Sequence, residues 1–315
     1  MPEAVTLKYH RHFDPKPVEY PREPSLLAGD QRRAVTYVYS EEIILRVNVA
    51  LATQRPLLVR GPSGTGKSSL ARSVAQVLGW RYYETVITSR TQAKDLLWQV
   101  DLLNRLHDAQ ARRRFELDQN RYVTPGPLWW AFDEASAKAQ RFRGARGSSI
   151  AIDPNLGSEH SRAVVLLDEI DKADPDTPNN LLVPLGSLQF QVEETRQLVE
   201  TTPDKAPLII ITTNDERELP LAFLRRCIEL PLEYPTRERL VEIGRAQLPS
   251  LNEGLLLAVA QALLPGKDQQ PGISAAEYVD ALRACVSLKL APDGDAFKQL
   301  LSSTIWKHGR KEPRK

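Results

Sequence analysis

Residues 56–70 have the sequence PLLVRGPSGTGKSSL, in which a short apolar run enters a glycine-rich turn and then a helical pattern. The spacing Gly-x-x-x-x-Gly-Lys-Ser, placed between a predicted strand and a predicted helix, is typical of a loop that binds phosphate groups. The glycines allow backbone torsions that other residues resist, so that amide N–H groups can approach phosphate oxygens. Because the free N–H groups of the following helix face the same anion, the stretch predicts a nucleoside triphosphate site. The alternative is a glycine-rich turn that binds no nucleotide.

Two side chains of this loop have predicted chemical roles. Lys67 is expected to reach the β- and γ-phosphates, and the hydroxyl of Ser68 is expected to bind Mg²⁺. The residues expected to contact the nucleotide are Gly61, Pro62, Ser63, Gly64, Thr65, Gly66, Lys67, Ser68 and Ser69.

The composition is that of an ordinary soluble globular protein. The chain has 315 residues, which suits two domains, and its 42 Lys and Arg against 40 Asp and Glu give a net charge of +2. This charge gives no overall attraction to nucleic acid or to an anionic membrane, and no apolar run has the length of a membrane span. The N-terminus lacks a signal-peptide pattern, and Cys227 and Cys285 lack metal-type spacing. We therefore expect a cytoplasmic protein with reduced thiols.

The pattern along the chain predicts three segments. Residues 1–34 are rich in proline, which breaks both helices and sheet ladders, and predict an extended arm. Residues 35–234 alternate apolar strands with helical patterns, which predicts an α/β domain built on a doubly wound parallel sheet. Residues 235–315 predict a small all-α domain that ends in a basic tail.

Within the α/β segment, the apolar runs predict individual strands. After the strand that leads into the phosphate loop, these are Arg81–Thr88, Ala163–Asp168, Pro207–Asn214 and Ile228–Pro231. Leu188–Val192 and Gln197–Glu200 predict the two arms of a β-hairpin.

The region between residues 89 and 161 is longer than one crossover helix requires, which predicts insertions with a function. Its expected parts are an Arg-rich helix through Arg112–Arg114, a turn over Thr124–Trp130 and a polar loop over Ala137–Ser161. The basic side chains of this loop could contact nucleic acid or an acidic partner, or could simply be solvated.

Polar residues at the ends of two apolar strands predict the rest of an active site. Asp168 ends its strand and is placed to bind Mg²⁺, directly or through water. Glu169 is one residue further and is assigned as the general base that activates water. Asn214 ends the next strand and could donate a hydrogen bond to the water or to the γ-phosphate. The alternative for the two carboxylates is a solvated acidic turn.

Arg225 and Arg226 follow a short predicted helix, and spacing alone leaves their role open. They could pair with acidic side chains, or could act on a nucleotide bound elsewhere.

The order of these motifs resembles that of an AAA+ ATPase, and more particularly the MoxR-like group. The resemblance covers about Val38 to Leu288, and its particular motifs are Thr53–Gly61, Asp95–Leu97, Thr124–Leu128 and Asn214–Cys227. It implies that Asn214 is sensor 1 and that Arg226, with Arg225 as second choice, is an arginine finger supplied to a neighbouring subunit. It also implies that the hairpin Leu188–Glu200 and part of Lys94–Trp130 are insertions that face the pore of a ring.

The same resemblance implies that the chain is an ATP-hydrolysing, chaperone-like remodeller of protein partners. It implies ATP and Mg²⁺ as cofactors, a hexameric ring of identical subunits, a helical lid after residue 234 and a partner with a von Willebrand A domain. One departure concerns the lid, where Ala276 stands at a position that carries the sensor 2 arginine in many relatives. Arg283, further along the same predicted helix, is an uncertain substitute.

Two other functions remain open at this stage. The basic stretches would suit a nucleic-acid-stimulated motor or a defence-system NTPase, although the net charge argues against it. The missing arginine at Ala276 would suit a scaffold that binds ATP and hydrolyses little of it. No membrane association is expected.

Overall fold

The computed structural model describes residues 9–16, 36–110, 118–144, 155, 160–264, 272–292 and 294–304. Several sequence predictions lie outside these ranges: most of the arm, Arg112–Arg114, the greater part of residues 145–159 and the basic tail. No helix in the described ranges is both long and apolar enough to cross a membrane.

The strands, numbered in chain order, are β1 (Leu57–Arg60), β2 (Arg81–Val86), β3 (Trp98–Val100), β4 (Val123–Pro125), β5 (Ala163–Asp168), β6 (Gln189–Gln191), β7 (Leu198–Glu200), β8 (Leu208–Thr213) and β9 (Ile228–Pro231). The helices are α1 (Glu41–Thr53), α2 (Lys67–Leu78), α3 (Ala93–Leu97), α4 (Leu102–Gln110), α5 (Pro127–Phe132), α6 (Glu134–Gly144), α7 (Thr177–Ser187), α8 (Leu221–Leu224), α9 (Arg237–Gln247), α10 (Glu253–Leu263), α11 (Ala275–Leu288) and α12 (Asp295–Thr304).

Five strands form one sheet in the order β2-β5-β8-β1-β9, and the pairs β2/β5, β5/β8 and β8/β1 are parallel. Ala163–Leu167 and the whole of β8 are buried, as expected for parallel strands covered on both faces. The predicted α/β doubly wound parallel sheet, followed by helices alone, is confirmed. The register places Asp168 opposite Val86 and Thr213 opposite Arg60, so these strands end at one edge of the sheet.

Two short antiparallel sheets lie outside the main sheet. One is the pair β6/β7, which confirms the predicted hairpin. The other is the pair β3/β4, in which Trp98 lies opposite Pro125. The prediction of a turn over Thr124–Trp130 is therefore wrong. Its prolines have other uses, because Pro125 ends an edge strand and Pro127 occupies the first turn of α5.

The predicted polar loop over Ala137–Ser161 is wrong in its first part, because α6 continues to Gly144. The helix starts where the Asp133 carboxylate accepts a hydrogen bond from the Ser136 amide at 3.0 Å. Gln140 on this helix is 1 % exposed and donates to the carbonyls of Asn120 and Val123. The polar residues of this stretch suggested a loop, but Gln140 is buried and its side chain donates a hydrogen bond to the first residue of β4.

The sequence analysis also missed helix α7. This helix contains Pro184 in its interior and Gly186 near its end, and both residue types normally interrupt helices. Leu181, Leu182 and Leu185 of α7 are buried in the core, which offsets the unfavourable propensity.

By contacts within the chain, two compact units are distinguished. The first comprises residues 1–13, 42–60 and 74–230, and the second comprises residues 14–41, 61–73 and 231–315. The core of the first unit includes Leu58, Leu96, Trp129, Leu167, Leu181 and Ile211. The core of the second unit includes Leu240, Val259, Leu263, Tyr278, Leu282 and Phe297.

The described part of the N-terminal arm is anchored on α1 by one side chain. Asn48 is 4 % exposed and its amide oxygen accepts from the backbone N–H groups of His12 and Phe13. Its amide nitrogen donates to the Phe13 carbonyl at 2.8 Å, while the Phe13 ring is fully buried. Residues 9–16 form neither helix nor strand.

The two insertions predicted from the sequence are joined by Glu194, which lies in the turn of the β6/β7 hairpin. One carboxylate oxygen accepts from Lys94 Nζ at 2.7 Å and the other accepts from Trp98 Nε1 at 2.6 Å. The Trp98 and Phe190 rings stack with centroids 5.9 Å apart. The hairpin therefore packs against the α3–β3 segment.

Replacing Glu194 with Gln should lower the free energy of unfolding by about 1–3 kcal/mol, because an amide cannot accept from both donors. Burial alone would raise the pKa of the Glu194 carboxyl, but the hydrogen bonds from Lys94 and Trp98 hold that pKa below its ordinary value of 4.5. A depressed pKa contributes stability above pH 4.5 that is lost as the pH falls through the folded-state value. The difference between wild type and variant, measured by urea denaturation, should therefore shrink in acid.

The matched control is Glu193→Gln. The Glu193 side chain is 79 % exposed and lies 3.8 Å from Lys94, so its loss should change stability by less than about 0.5 kcal/mol. Equal effects of the two substitutions would contradict the proposed joint.

Candidate functional site

The phosphate loop has the backbone that its glycines predict. β1 ends at Arg60 and α2 begins at Lys67, with Gly61, Gly64 and Gly66 between them at φ of +143°, +81° and +96°. A Cβ atom at Gly61 would lie 2.0 Å from the Leu232 carbonyl oxygen. Positions 61 and 64 therefore require glycine for both torsion and space.

Lys67 is the central charge of this loop. Its side chain is 6 % exposed, and the ammonium donates to the carbonyls of Gly61 at 2.6 Å and Pro62 at 2.8 Å. The Thr65 hydroxyl donates to the same Pro62 carbonyl at 2.9 Å. These bonds hold the ammonium and the loop backbone together.

Other parts of the second unit pack around the loop. The ring of Tyr37 lies against Gly66, and the Tyr39 hydroxyl donates to Ser73 Oγ at 2.6 Å. Burial raises the pKa of the Tyr39 hydroxyl from its ordinary value of 10.0 to about 12. The segment before α1 is thus part of the loop's surroundings.

The start of α11 also touches the loop. Ser274 lies beside Gly64, and the Ala276 backbone N–H donates to the Gly64 carbonyl at 3.3 Å. Position 276 thus contacts the loop through its main chain rather than through a charged side chain. Arg283 is half-buried further along the same helix.

In the first unit, a buried threonine orders the acidic end of β5. The Thr212 hydroxyl donates to Asp168 Oδ1 and accepts from the Glu169 backbone N–H at 2.9 Å. Glu169 has φ +63° and ψ +51°, a left-handed conformation that costs a residue with a Cβ atom about 1–3 kcal/mol. The structure therefore holds Glu169 against its own backbone preference.

The Glu169 carboxylate has two partners. Its Oε2 accepts from Lys172 Nζ at 2.7 Å, and its Oε1 lies 3.4 Å from Asn214 Nδ2. The hydrogen bond to Glu169 raises the pKa of Lys172. The sequence placed Glu169 and Asn214 at the ends of two successive predicted strands, and the structure brings their side chains into contact.

Asp171 is a residue of the site that sequence reasoning missed. It is 3 % exposed, and its Oδ2 accepts from the backbone N–H groups of Asn214 at 3.1 Å and Glu216 at 3.0 Å. The sequence does show a third acidic residue shortly after Asp168 and Glu169. Its hydrogen-bond partners could not be predicted, because they come from a distant part of the chain. Asp171 fixes the turn that carries Asn214.

Arg60 was also missed. Its guanidinium pairs with Asp215 at 3.0 Å and with Glu229 at 2.9 Å. Asp215 has φ +59°, so the turn after β8 is strained. The ion pair with Arg60 and the hydrogen bonds to Asp171 both stabilise this turn. The last residue of β1 is therefore tied to that turn and to β9.

Arg225 and Arg226 lie at the end of α8, and both side chains are exposed. Neither guanidinium forms an ion pair with an acidic side chain of the described ranges.

Each of the two units carries an oxygen group of the type that Mg²⁺ prefers: the Asp168 carboxylate in the first unit and the Ser68 hydroxyl in the second. Mg²⁺ is usually held by one or two such groups together with substrate phosphates and water. Within the described residues, no group of three or more His, Cys, Asp or Glu could hold a metal ion.

Replacing Asp171 with Ala should loosen the turn after β8, because the Asn214 and Glu216 amides lose their acceptor. We expect a loss of about 1–3 kcal/mol of stability. Hydrogen exchange measured by mass spectrometry should increase in peptides that contain residues 212–218. Asp176→Ala is the control, since the exposed Asp176 side chain forms no capping bond. Unchanged exchange in Asp171→Ala would refute the assigned role.

The family model of the AAA domain (dynein-related subfamily) matches residues 56–227. No curated protein sequence matches the chain. A mutant of RuvB from Thermotoga maritima is 14% identical and has a TM-score of 0.48, covering 85% of this chain and 71% of its own. The Thermotoga maritima RuvB Holliday junction branch migration motor is 15% identical, with a TM-score of 0.46 and coverage of 84% and 70%. A protein of Cytophaga hutchinsonii assigned as an ATPase is 14% identical, with a TM-score of 0.42 and coverage of 78% and 57%.

Proposed function

The chain belongs to the dynein-related AAA domain family, and we propose that it is a MoxR-like AAA+ ATPase that hydrolyses ATP in a ring of identical subunits. The observation that carries the hydrolytic part is the contact between Glu169 and Asn214 at the ends of β5 and β8. A candidate base and a candidate water-binding amide lie 3.4 Å apart, and both are held by buried side chains of the same unit.

The phosphate loop would bind the triphosphate through its amide N–H groups and through Lys67. The hydroxyl of Ser68 and the carboxylate of Asp168 would hold Mg²⁺, which when bound neutralises charge on the phosphates. The choice of ATP over GTP follows the MoxR-like resemblance.

Glu169 would act as the general base. Its Oε1 side faces the Asn214 amide, and Lys172 holds the other oxygen, so the carboxylate has one preferred orientation. Asn214 would orient the attacking water and stabilise charge on the γ-phosphate as sensor 1. Thr212 keeps Glu169 in its left-handed conformation through the backbone N–H.

The remaining step requires a second subunit. Arg226, with Arg225 as second choice, would be the arginine finger that acts on a nucleotide bound by a neighbouring copy, in a hexameric ring. Both side chains are exposed, as a group that acts outside its own subunit must be.

The target of such a ring would be a protein, reached together with a partner that carries a von Willebrand A domain. Helix α4 supports a protein target over nucleic acid, because Leu102, Leu103 and Leu106 are 65 %, 82 % and 56 % exposed. Exposed apolar side chains of this kind favour protein contacts. The insertions joined by Glu194 would then face the substrate.

Glu169→Gln should bind ATP with nearly wild-type affinity while turnover falls on the order of 10²–10⁴-fold, because an amide cannot accept the proton of the attacking water. Binding is measured with a fluorescent ATP analogue, and turnover by phosphate release. Glu218→Gln, which alters an exposed acid in the turn after β8, should leave turnover unchanged. Normal turnover in Glu169→Gln would overturn the assignment of the base.

Arg226→Ala subunits should form rings yet hydrolyse ATP very slowly, with a loss on the order of 10³-fold or more. Mixing them with Lys67→Ala subunits should restore turnover, because the second type supplies the finger to the intact phosphate loop of the first. Arg225→Ala, treated in the same way, decides between the two arginines. Electron micrographs with ATP report the ring, and rings without restored turnover would exclude a finger in trans.

A further inference from the structure

Arg55 holds the main chain that carries the candidate arginine finger. It lies between α1 and β1, far in sequence from its partners. Its Nε donates to the Arg226 carbonyl at 3.0 Å, and its Nη2 donates to the carbonyls of Arg225 and Cys227, the latter at 3.2 Å. One half-buried guanidinium thus fixes three successive carbonyls.

The position of these carbonyls explains why an arginine is suited to the task. Helix α8 ends at Leu224, and the amides of Arg226 and Cys227 donate back to the carbonyls of Phe223 and Leu224, both at 3.0 Å. The carbonyls at the end of a helical turn lack partners within the helix, and basic side chains can bind them. A planar guanidinium reaches several carbonyls at fixed angles, whereas a lysine ammonium acts as a point charge.

The same segment is held from its other sides. The Phe223 ring is fully buried, and the Ile228 amide donates to the Pro56 carbonyl at 2.8 Å. Residues 55 and 56 therefore fix the main chain from Arg225 to Ile228, while the side chains of Arg225 and Arg226 remain exposed. The outcome is a rigid base that presents two long cationic side chains.

We propose that Arg55 is a positioning residue that sets the direction in which Arg226 is presented to a neighbouring subunit. The inference rests on the proposed function, in which Arg226 acts on that neighbour's nucleotide. A finger on a fixed backbone has fewer torsions to order when it engages, and a displacement of about 1 Å can cost on the order of 10²-fold in rate.

The test uses the full chain with Arg55→Ala and Arg55→Lys. Each variant alone should lose turnover on the order of 10- to 100-fold while KM for ATP stays within about twofold, because its own phosphate loop is intact. Mixing either variant with Lys67→Ala subunits should restore turnover, as it does for Arg226→Ala. The double variant with Arg55→Ala and Arg226→Ala should be no slower than Arg226→Ala.

The matched control is Gln54→Ala. Gln54 is the neighbour of Arg55 and also donates to a carbonyl, that of Pro203 at 2.8 Å, and within the described residues it forms no hydrogen bond with residues 225–227. Its removal should leave turnover at the wild-type level.

Restored turnover in the mixture supports the proposal. An Arg55→Ala ring of normal assembly and melting temperature that is not restored overturns it, and if Arg55→Ala fails to assemble, Arg55→Lys is judged by the same criterion. Failure of Arg226→Ala to be restored overturns the trans finger and Arg55's role together. Failure of the Arg55 variants alone overturns only the latter.

Discussion

The parallel pairing of β5 with β8 sets the position of the acidic groups at the candidate site. In that register Leu167 lies opposite Ile211, so the residue that follows each of them, Asp168 and Thr212, meets at the sheet edge. The buried Thr212 hydroxyl then joins the Asp168 carboxylate to the Glu169 backbone. A slip of one residue would turn the Thr212 side chain to the other face and remove this bond.

The sequence predicted the features that depend on local pattern. The phosphate loop, the buried strands and the hairpin follow from glycine spacing, from continuous apolar runs and from alternation. The same reasoning missed α7 because Pro184 is a helix breaker, and it assigned the start of α5 to a turn because proline suits both. In both places burial in the core decided the local structure, and burial is a property of the whole fold.

The side-chain hydrogen bonds and ion pairs between distant segments could not be predicted from the sequence, for a different reason. Thr212, Asp171, Arg60 and Arg55 act on groups that are distant in sequence, and nothing near them distinguishes them from other polar residues. Asp168, Glu169 and Asn214 stood out in the sequence as candidate site residues because each lies at or directly after the end of an apolar strand. The contact between Glu169 and Asn214 could be expected only if their two strands were neighbours in the sheet. The hydrogen bonds that join Thr212 to the Glu169 backbone and Asp171 to the Asn214 backbone depend in addition on the register of these strands.

The left-handed conformation of Glu169 has a consequence for how this protein responds to selection. Glycine adopts that conformation without strain, so Gly at position 169 would release about 1 kcal/mol that the glutamate side chain now costs. A screen for thermal stability alone would therefore select Glu169→Gly and so remove the carboxylate. Variants found in such a screen should therefore be sorted by turnover before they are combined, since stability and chemistry compete at this residue.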